Sequence, residues 1–185
     1  MIEAELKARV HAPEEVLRRL DERASGVPEV YRDTYYDAPD GGLDARDAEL
    51  RIRTVHGPDD TRTVLTYKGA AVDEASGSKP EAETRVEDAE AAHAIVRGLG
   101  YVPLIAFEKR CRNYTFEARG RKVLATLVRV PEIDGTFLEV ETLVDDDQVP
   151  AALDDIRAVL AELGISEQDL TRELYTDAVR ARRSA

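Results

Sequence analysis

Charged and apolar side chains alternate strictly along residues 2–10 of this chain. Glu3, Glu5, Lys7 and Arg9 occupy the odd positions, and every even position is apolar. Because successive side chains of a β-strand point to opposite faces, the pattern predicts a strand with one charged face and one apolar face. Such a strand must separate a polar environment from a hydrophobic one.

Later segments carry related patterns. The acidic spacing of the first strand returns at Glu81 and Glu83, and again at Glu139 and Glu141. Other segments carry basic residues. Arg51 and Arg53 alternate with their neighbours, and so do Arg110 and Arg112, whereas Lys68 is a single basic residue at the end of its segment. The sequence therefore predicts acidic strands interleaved with basic strands.

The chain divides into two similar halves, each of which opens with an acidic strand followed by a helix. We predict strands at residues 2–10, 30–36, 49–55, 62–68, 81–85, 102–116, 122–130 and 137–143. We predict helices at 13–24, 88–99, 150–163 and 167–182. A loop at 73–80 separates the halves. The expected organisation is a single domain over 1–185, with strands and two helices in 1–143 and further helices in 150–182.

An open sheet could expose one charged face to water, and this explanation is sufficient for a single strand. It is weaker for many strands with the same pattern, because at least four helices also need apolar surfaces to cover. A closed barrel meets both requirements and leaves no free strand edge. We therefore predict an α+β protein: an eight-stranded antiparallel β-barrel with a charged lumen and helices packed outside.

Composition excludes several classes of function. The 38 acidic and 26 basic residues give a formal charge of −12, which argues against general binding to nucleic acid or anionic membranes. The chain opens on a charged strand and has no long apolar run, so we expect a cytoplasmic protein without a membrane partner. With a single cysteine, Cys111, and three scattered histidines, any metal must be held by carboxylates.

A lumen lined by six glutamates needs cations. Two like charges about 4 Å apart repel by roughly 4 kcal/mol at an effective dielectric constant of 20. Mg²⁺ or Mn²⁺ would relieve this repulsion, because hard divalent ions prefer carboxylate oxygens. The basic strands offer guanidinium groups that match phosphate oxygens, so the sequence predicts a metal site and a polyphosphate ligand.

The same residues resemble the motifs of the CYTH, or triphosphate tunnel metalloenzyme, superfamily. The E-x-E-x-K strand corresponds to Glu3, Glu5 and Lys7, and the L-R-x-R strand corresponds to residues 50–53. The remaining motifs follow in order: the lysine strand at 65–68, the acidic pair at 81 and 83, the basic strand at 108–112 and the G-x-F-x-E-x-E strand at 135–141. The resemblance covers residues 1 to about 143.

The resemblance implies a tunnel that binds a small-molecule triphosphate with divalent ions, and it is compatible with a homodimer. Segments 33–37 and 77–81 are similar to the class IV adenylyl cyclase branch, which would convert ATP to cyclic AMP and pyrophosphate. The superfamily also contains triphosphatases that act on thiamine triphosphate, inorganic triphosphate or RNA. We therefore retain triphosphate hydrolysis as an alternative.

The resemblance also implies roles for individual residues. Glu3, Glu5, Glu139 and Glu141 would bind metal, and Glu81 and Glu83 would act in catalysis as metal ligands or by orienting water. Lys7 would contact phosphate or position a nucleophile. The expected triphosphate ligands are Lys7, Arg51, Arg53, Lys68, Arg110 and Arg112, with Lys109 joining them if a bulge turns it inward.

One position departs from the family pattern. An L-D-x-V segment commonly precedes the last acidic strand, but here the aspartate position is Val128. A valine cannot bind metal or accept a proton, and Asp134 in the next turn is an alternative carboxylate. This departure motivates a third hypothesis, a non-catalytic sensor of a phosphorylated ligand.

Overall fold

The computed structural model describes residues 1–73 and 76–185. Residues 74 and 75, within the loop predicted between the halves, lie outside the described residues. The strands are β1 Ile2–Arg9, β2 Val27–Asp37, β3 Glu49–His56, β4 Thr61–Lys68, β5 Lys79–Val86, β6 Val102–Ala118, β7 Arg121–Arg129 and β8 Phe137–Val144. The helices are α1 Pro13–Asp21, α2 Ala89–Gly98, α3 Val149–Glu162 and α4 Tyr175–Arg183.

The strands form a closed antiparallel barrel in the order β1-β5-β4-β3-β2-β6-β7-β8. Equivalent strands of the two halves pair with each other, β1 with β5 and β2 with β6. The first strand of each half also pairs with the last strand of the other half, β1 with β8 and β5 with β4. The predicted barrel is confirmed, and its strand order has an approximate two-fold repeat.

The helices cover the apolar outer faces of the strands. α3 packs Leu153 and Ile156 against a cluster that contains Leu6 of β1 and Val140 of β8. α2 starts where the Asp88 side chain accepts a hydrogen bond from the backbone N–H of Ala91, a typical N-cap. Within the described residues, no helix is both long enough and apolar enough to cross a bilayer.

The face opposite to these helices contains the charged side chains. A second apolar cluster fills one end of this interior, where Phe107, Cys111, Val128 and Phe137 meet Tyr175 of α4. The lumen is therefore charged along its middle and apolar beneath α4. Burial raises the pKa of the Cys111 thiol to about 12, as expected of a packed residue that does not react.

The helix predicted at 167–182 starts later than expected. A 3₁₀ turn occupies Glu167–Asp169, no helix or strand covers residues 171–174, and α4 then begins at Tyr175. Leu170 forms a β-bridge with Ala8, and the backbone N–H of Thr171 donates to the Lys7 carbonyl at 2.9 Å. β1 pairs with β5 only near its start, so its remaining edge offers backbone partners that compete with helix formation.

Candidate active site in the barrel tunnel

A cavity of about 750 Å³ runs into the barrel between the charged faces of the strands. Eleven of the thirteen residues predicted as site residues line it: Glu3, Glu5, Lys7, Arg51, Arg53, Lys68, Glu81, Glu83, Lys109, Glu139 and Glu141. They come from strands β1, β3, β4, β5, β6 and β8. Barrel closure thus brings together residues that are up to 138 positions apart in the chain.

Three carboxylates form a compact acidic group on one wall. Glu3, Glu5 and Glu141 each place an oxygen within 4.8 Å of the other two. Glu5 and Glu141 lie directly opposite each other in the β1–β8 register. Burial, together with the charges of Glu139 and Glu3, raises the pKa of Glu5 to about 7. Burial and the charges of Glu3 and Glu5 also raise the pKa of Glu141 well above its ordinary value.

This donor set fits a hard divalent cation. It consists of three carboxylates, which are the ligand type that Mg²⁺, Mn²⁺ and Ca²⁺ prefer, and it contains no thiolate. Burial is the largest cause of the raised pKa values of Glu5 and Glu141, and the charges of neighbouring carboxylates add to it, so a bound cation would relieve that repulsion.

Glu139, the fourth predicted metal ligand, has a different partner. One of its carboxylate oxygens lies 3.6 Å from the ammonium of Lys109. Burial by itself would raise the pKa of Glu139, but Lys109 and Lys7 outweigh it and lower that pKa. Glu139 is therefore a charged group that holds lysines beside the acidic group.

β3 supplies the basic wall opposite. Arg53 donates two hydrogen bonds of 2.7 Å to the carboxylate of Asp33, which is almost fully buried. Burial opposes ionisation of Asp33, but Arg53 prevails and lowers the pKa of Asp33 to about 2. Arg51 donates to the Thr66 hydroxyl at 3.3 Å, and its buried Nε has no hydrogen-bond partner among the described residues. Arg51 thus retains a donor for an anion.

The remaining predicted acidic residues bind cations and hydroxyls of neighbouring strands. Glu81 lies 3.3 Å from the ammonium of Lys68, which also contacts Glu3. Glu83 accepts a 2.8 Å hydrogen bond from the Thr66 hydroxyl. Burial, followed by the charge of Glu3, raises the pKa of Glu81.

The prediction that Arg110 and Arg112 of the basic strand β6 point into the tunnel is wrong. Lys109 points into the tunnel and its side chain is 5% exposed. Arg110 lies on the outer surface, where it pairs with Glu108, and Arg112 lies outside the barrel against Asp21 of α1. No bulge is required at Lys109, because the register shift between β2 and β6 occurs near Tyr35. A regular strand simply turns odd positions inward here.

Sequence reasoning missed several tunnel residues. Asp33, the buried partner of Arg53, lies on β2 between Tyr31 and Tyr35, which line the cavity, and this spacing of two residues is the signal that could have found it. Tyr175 also escaped notice, although its ring lies 4.5 Å from the Lys7 ammonium and 4.8 Å from that of Lys109. Only the fold could reveal this contact, because α4 arrives from the other end of the chain.

The position that departs from the family motif is also explained. Val128 is completely buried in the apolar cluster beneath α4, where it packs with Cys111 and Phe137. Asp134 lies exposed in the turn between β7 and β8. The structure therefore gives Asp134 no place in the tunnel, and the apolar packing accounts for a valine at 128.

The closed barrel therefore encloses a tunnel in which carboxylates face arginines and lysines across the interior. Comparison with known proteins identifies the family: the model of the CYTH domain matches residues 1–175. The chain belongs to the CYTH domain family. Members of this family act on small triphosphate substrates and depend on divalent metal, which agrees with the acidic group of the tunnel.

Individual relatives cover nearly the whole chain. A "Putative adenylate cyclase" of Methanocaldococcus jannaschii is 27% identical over 180 residues, which are 96% of this chain and 98% of the relative. The structure of the PH1819 protein of Pyrococcus horikoshii matches with a TM-score of 0.81 at 27% identity, covering 98% of this chain and 99% of the other. A Hippeastrum protein described as a "Putative adenylyl cyclase" shares the fold, with a TM-score of 0.66 at 17% identity and coverage of 97% and 95%.

Proposed function

We propose that this protein is a metal-dependent enzyme that converts ATP to cyclic AMP and pyrophosphate, as class IV adenylyl cyclases do. The observation that carries the proposal is the placement of Glu3, Glu5 and Glu141 in the same cavity as Arg51 and Arg53. A triphosphate needs both groups, since its oxygens bind guanidinium and ammonium donors and also divalent ions. The name of the archaeal relative favours the cyclase over other reactions on triphosphates.

Glu3, Glu5 and Glu141 would hold the metal. Mg²⁺ or Mn²⁺ bound there would act as a Lewis acid toward phosphoryl oxygens and would help to position the substrate. The other residues of the tunnel have roles that follow from their own contacts, and these roles do not depend on which of the two ions is bound.

In the cyclase reaction, the ribose 3′ oxygen bonds to the α-phosphorus while the bond from that phosphorus to the pyrophosphate oxygen breaks. Arg51 and Arg53 would bind the phosphates and neutralise the charge that accumulates on the departing pyrophosphate. Lys7 and Lys109, held at the apolar end of the tunnel by Tyr175, would bind further phosphate oxygens.

The 3′ hydroxyl must lose a proton as it attacks. Glu81 suits this role because it lines the tunnel and burial raises its pKa, which makes its carboxylate a better proton acceptor. Glu83, which is hydrogen-bonded to Thr66 beside Arg51, would help to hold the phosphate-binding wall in place.

Triphosphate hydrolysis is the second candidate. The Hippeastrum protein is described as revealing "a dominant triphophatase activity", although at 17% identity the likeness extends to the fold alone. In that reaction water would attack the terminal phosphorus, the bond from that phosphorus to the bridging oxygen would break, and orthophosphate and the diphosphate would be released. The same tunnel residues serve either reaction, since both chemistries require the triphosphate to be bound and neutralised.

Product analysis decides between the candidates. The purified protein is incubated with ATP, thiamine triphosphate and tripolyphosphate, each with Mg²⁺ and with Mn²⁺, and the products are separated by chromatography. Cyclic AMP with pyrophosphate is expected. Orthophosphate without cyclic AMP would instead identify a triphosphatase. Triphosphate binding by calorimetry without any product would refute catalysis and support the sensor hypothesis.

A further inference from the structure

Lys68 has an unusual position for a phosphate ligand. It is the last residue of β4, its side chain is 15% exposed, and its ammonium contacts the carboxylate of Glu3 and lies 3.3 Å from that of Glu81. Glu3 is itself one of the three carboxylates of the acidic group. A lysine therefore already occupies one of the ligands that a divalent ion would use.

The effect of Lys68 is visible in the acidic group. Of the three carboxylates in the acidic group, only Glu3 forms an ion pair with Lys68 among the described residues. Glu3 is thus the carboxylate of the group that is compensated by an internal cation. A metal ion bound to Glu3 would lie next to the Lys68 ammonium, and two buried cations at short range are weakly screened and repel strongly.

Arg51 indicates where Lys68 could go. Arg51 and Lys68 lie on neighbouring strands and both line the cavity, because Arg51 pairs with Thr66 in the β3–β4 register and Lys68 lies two residues further along β4. The buried Nε of Arg51 has no partner within the described part of the chain. An anion placed between Arg51 and Lys68 would satisfy that donor, reduce the repulsion and attract the ammonium away from Glu3.

We propose that Lys68 is an internal counter-ion that keeps free divalent metal out of the tunnel and moves to phosphate when triphosphate enters, so that metal and triphosphate are bound together. This inference rests on the proposed function, because it takes the acidic group as the metal site and triphosphate as the substrate. Lys68 acts here as a positioning residue, since it controls when Glu3 becomes available.

A lysine that only stabilises the barrel would give a different result from a counter-ion. Loss of a purely structural ion pair would destabilise the protein and weaken the binding of every ligand, because the acidic group would become less ordered. Loss of a counter-ion would instead strengthen the binding of free metal, because Glu3 would no longer be shared. The sign of the change in metal affinity therefore separates the two roles.

The experiment measures binding of Mn²⁺ alone to chelator-treated protein at pH 8 by electron paramagnetic resonance, which detects free Mn²⁺ directly. Lys68→Met retains the apolar stem and removes the charge, and we expect it to lower the Kd for Mn²⁺ by at least about tenfold. Lys68→Arg retains the charge and should bind Mn²⁺ as weakly as the wild type. Lys68→Gln is a second neutral variant in case the methionine protein does not fold.

Lys79→Met is the matched control for charge. Lys79 also lines the tunnel, but its ammonium lies 2.9 Å from both Asp47 and Glu49 and forms no ion pair with the acidic group among the described residues. Its removal changes the net charge equally, and we expect the Kd for Mn²⁺ to change by less than about threefold because its charge is not shared with Glu3. Circular dichroism and thermal melting confirm that each variant is folded.

Titrations with tripolyphosphate complete the test. In the wild type, tripolyphosphate should strengthen Mn²⁺ binding well beyond its own affinity for Mn²⁺ in solution, and this coupling should shrink in Lys68→Met. Folded neutral variants that bind Mn²⁺ no more tightly than the wild type would overturn the inference. Failure of the proposed function would be a separate result: neither binding nor turnover of any metal–triphosphate mixture by the wild type.

Discussion

The buried pair of Asp33 and Arg53 offers the sharpest test of how the tunnel is held together. Asp33 is 1% exposed and accepts both 2.7 Å hydrogen bonds from Arg53. We predict that Asp33→Asn destabilises the protein at pH 7, because the guanidinium would remain buried without its counter-charge. The variant keeps the size and shape of the side chain, so packing changes little.

The size of the effect follows from the pKa of Asp33. A decrease from the ordinary 3.8 to about 2 corresponds to about 2 kcal/mol of stabilisation of the folded state. Breaking a buried ion pair from one side costs about 3–5 kcal/mol in other proteins. We therefore expect a loss of about 2–4 kcal/mol in the free energy of unfolding, or roughly 5–15 °C in Tm for a chain of this length.

The sign of the pH dependence is also determined. Because the folded state lowers the pKa of Asp33, its stabilisation is complete above pH 3.8 and is lost as the pH falls toward 2. The difference between the wild type and Asp33→Asn should therefore be constant from pH 7 to about pH 5. It should shrink at lower pH, where the Asp33 carboxylate of the unfolded wild type takes up a proton before that of the folded protein does.

Urea denaturation followed by circular dichroism, between pH 7 and pH 3, measures these differences. Asp154→Asn is the control, because Asp154 forms an exposed pair with Arg157 on α3 and its side chain is 80% exposed. Its loss should change stability by less than about 0.5 kcal/mol. If Asp33→Asn were as stable as this control at pH 7, the reasoning about the buried pair would be refuted.

Three further predictions concern the tunnel. In chelator-treated protein, Glu5→Gln should raise Tm at pH 8 and leave it unchanged at pH 4.5. The pKa of Glu5 is raised to about 7, so its ionisation between pH 4.5 and pH 8 costs the folded state up to about 3 kcal/mol. A lower Tm at pH 8 would contradict this. Glu141→Gln should reduce kcat at least about 100-fold in steady-state assays while circular dichroism stays unchanged, whereas the outward-facing Glu108→Gln should retain activity within about twofold; a fully active Glu141→Gln protein would exclude a metal role. Lys109→Ala should reduce kcat/KM at least about tenfold and Arg110→Ala less than about twofold, since of these two residues only Lys109 points into the tunnel. A larger loss of kcat/KM in Arg110→Ala than in Lys109→Ala would refute the inward direction of Lys109.

Much of the fold could be predicted because β-strand alternation is a local property. In β1 every charged residue has one parity and every apolar residue the other, so which side chains share a face follows from sequence alone. The positions of α1, α2 and α3 were also predicted to within a few residues, because their apolar spacing and end residues are local signals.

The same rule fails in β6, where both parities carry charge. Lys109 has one parity and Arg110 and Arg112 the other, so alternation alone cannot say which set enters the barrel. The answer depends on the neighbours: Phe107 and Cys111 share the parity of Lys109 and belong to the buried cluster under α4. Packing of that cluster turns Lys109 inward and Arg110 outward.

The sequence by itself determined that this chain would form charged and apolar strand faces, eight strands in two similar halves, and acidic and basic groups suited to a metal and a triphosphate. Tertiary structure alone decided that Glu3, Glu5 and Glu141 form one group, that Glu139 joins Lys109, and that Asp33 binds Arg53. The physical reason is that periodicity along one strand specifies which side chains share a face. The distances between charges on different strands depend on the register and closure of the whole barrel, which every strand helps to set.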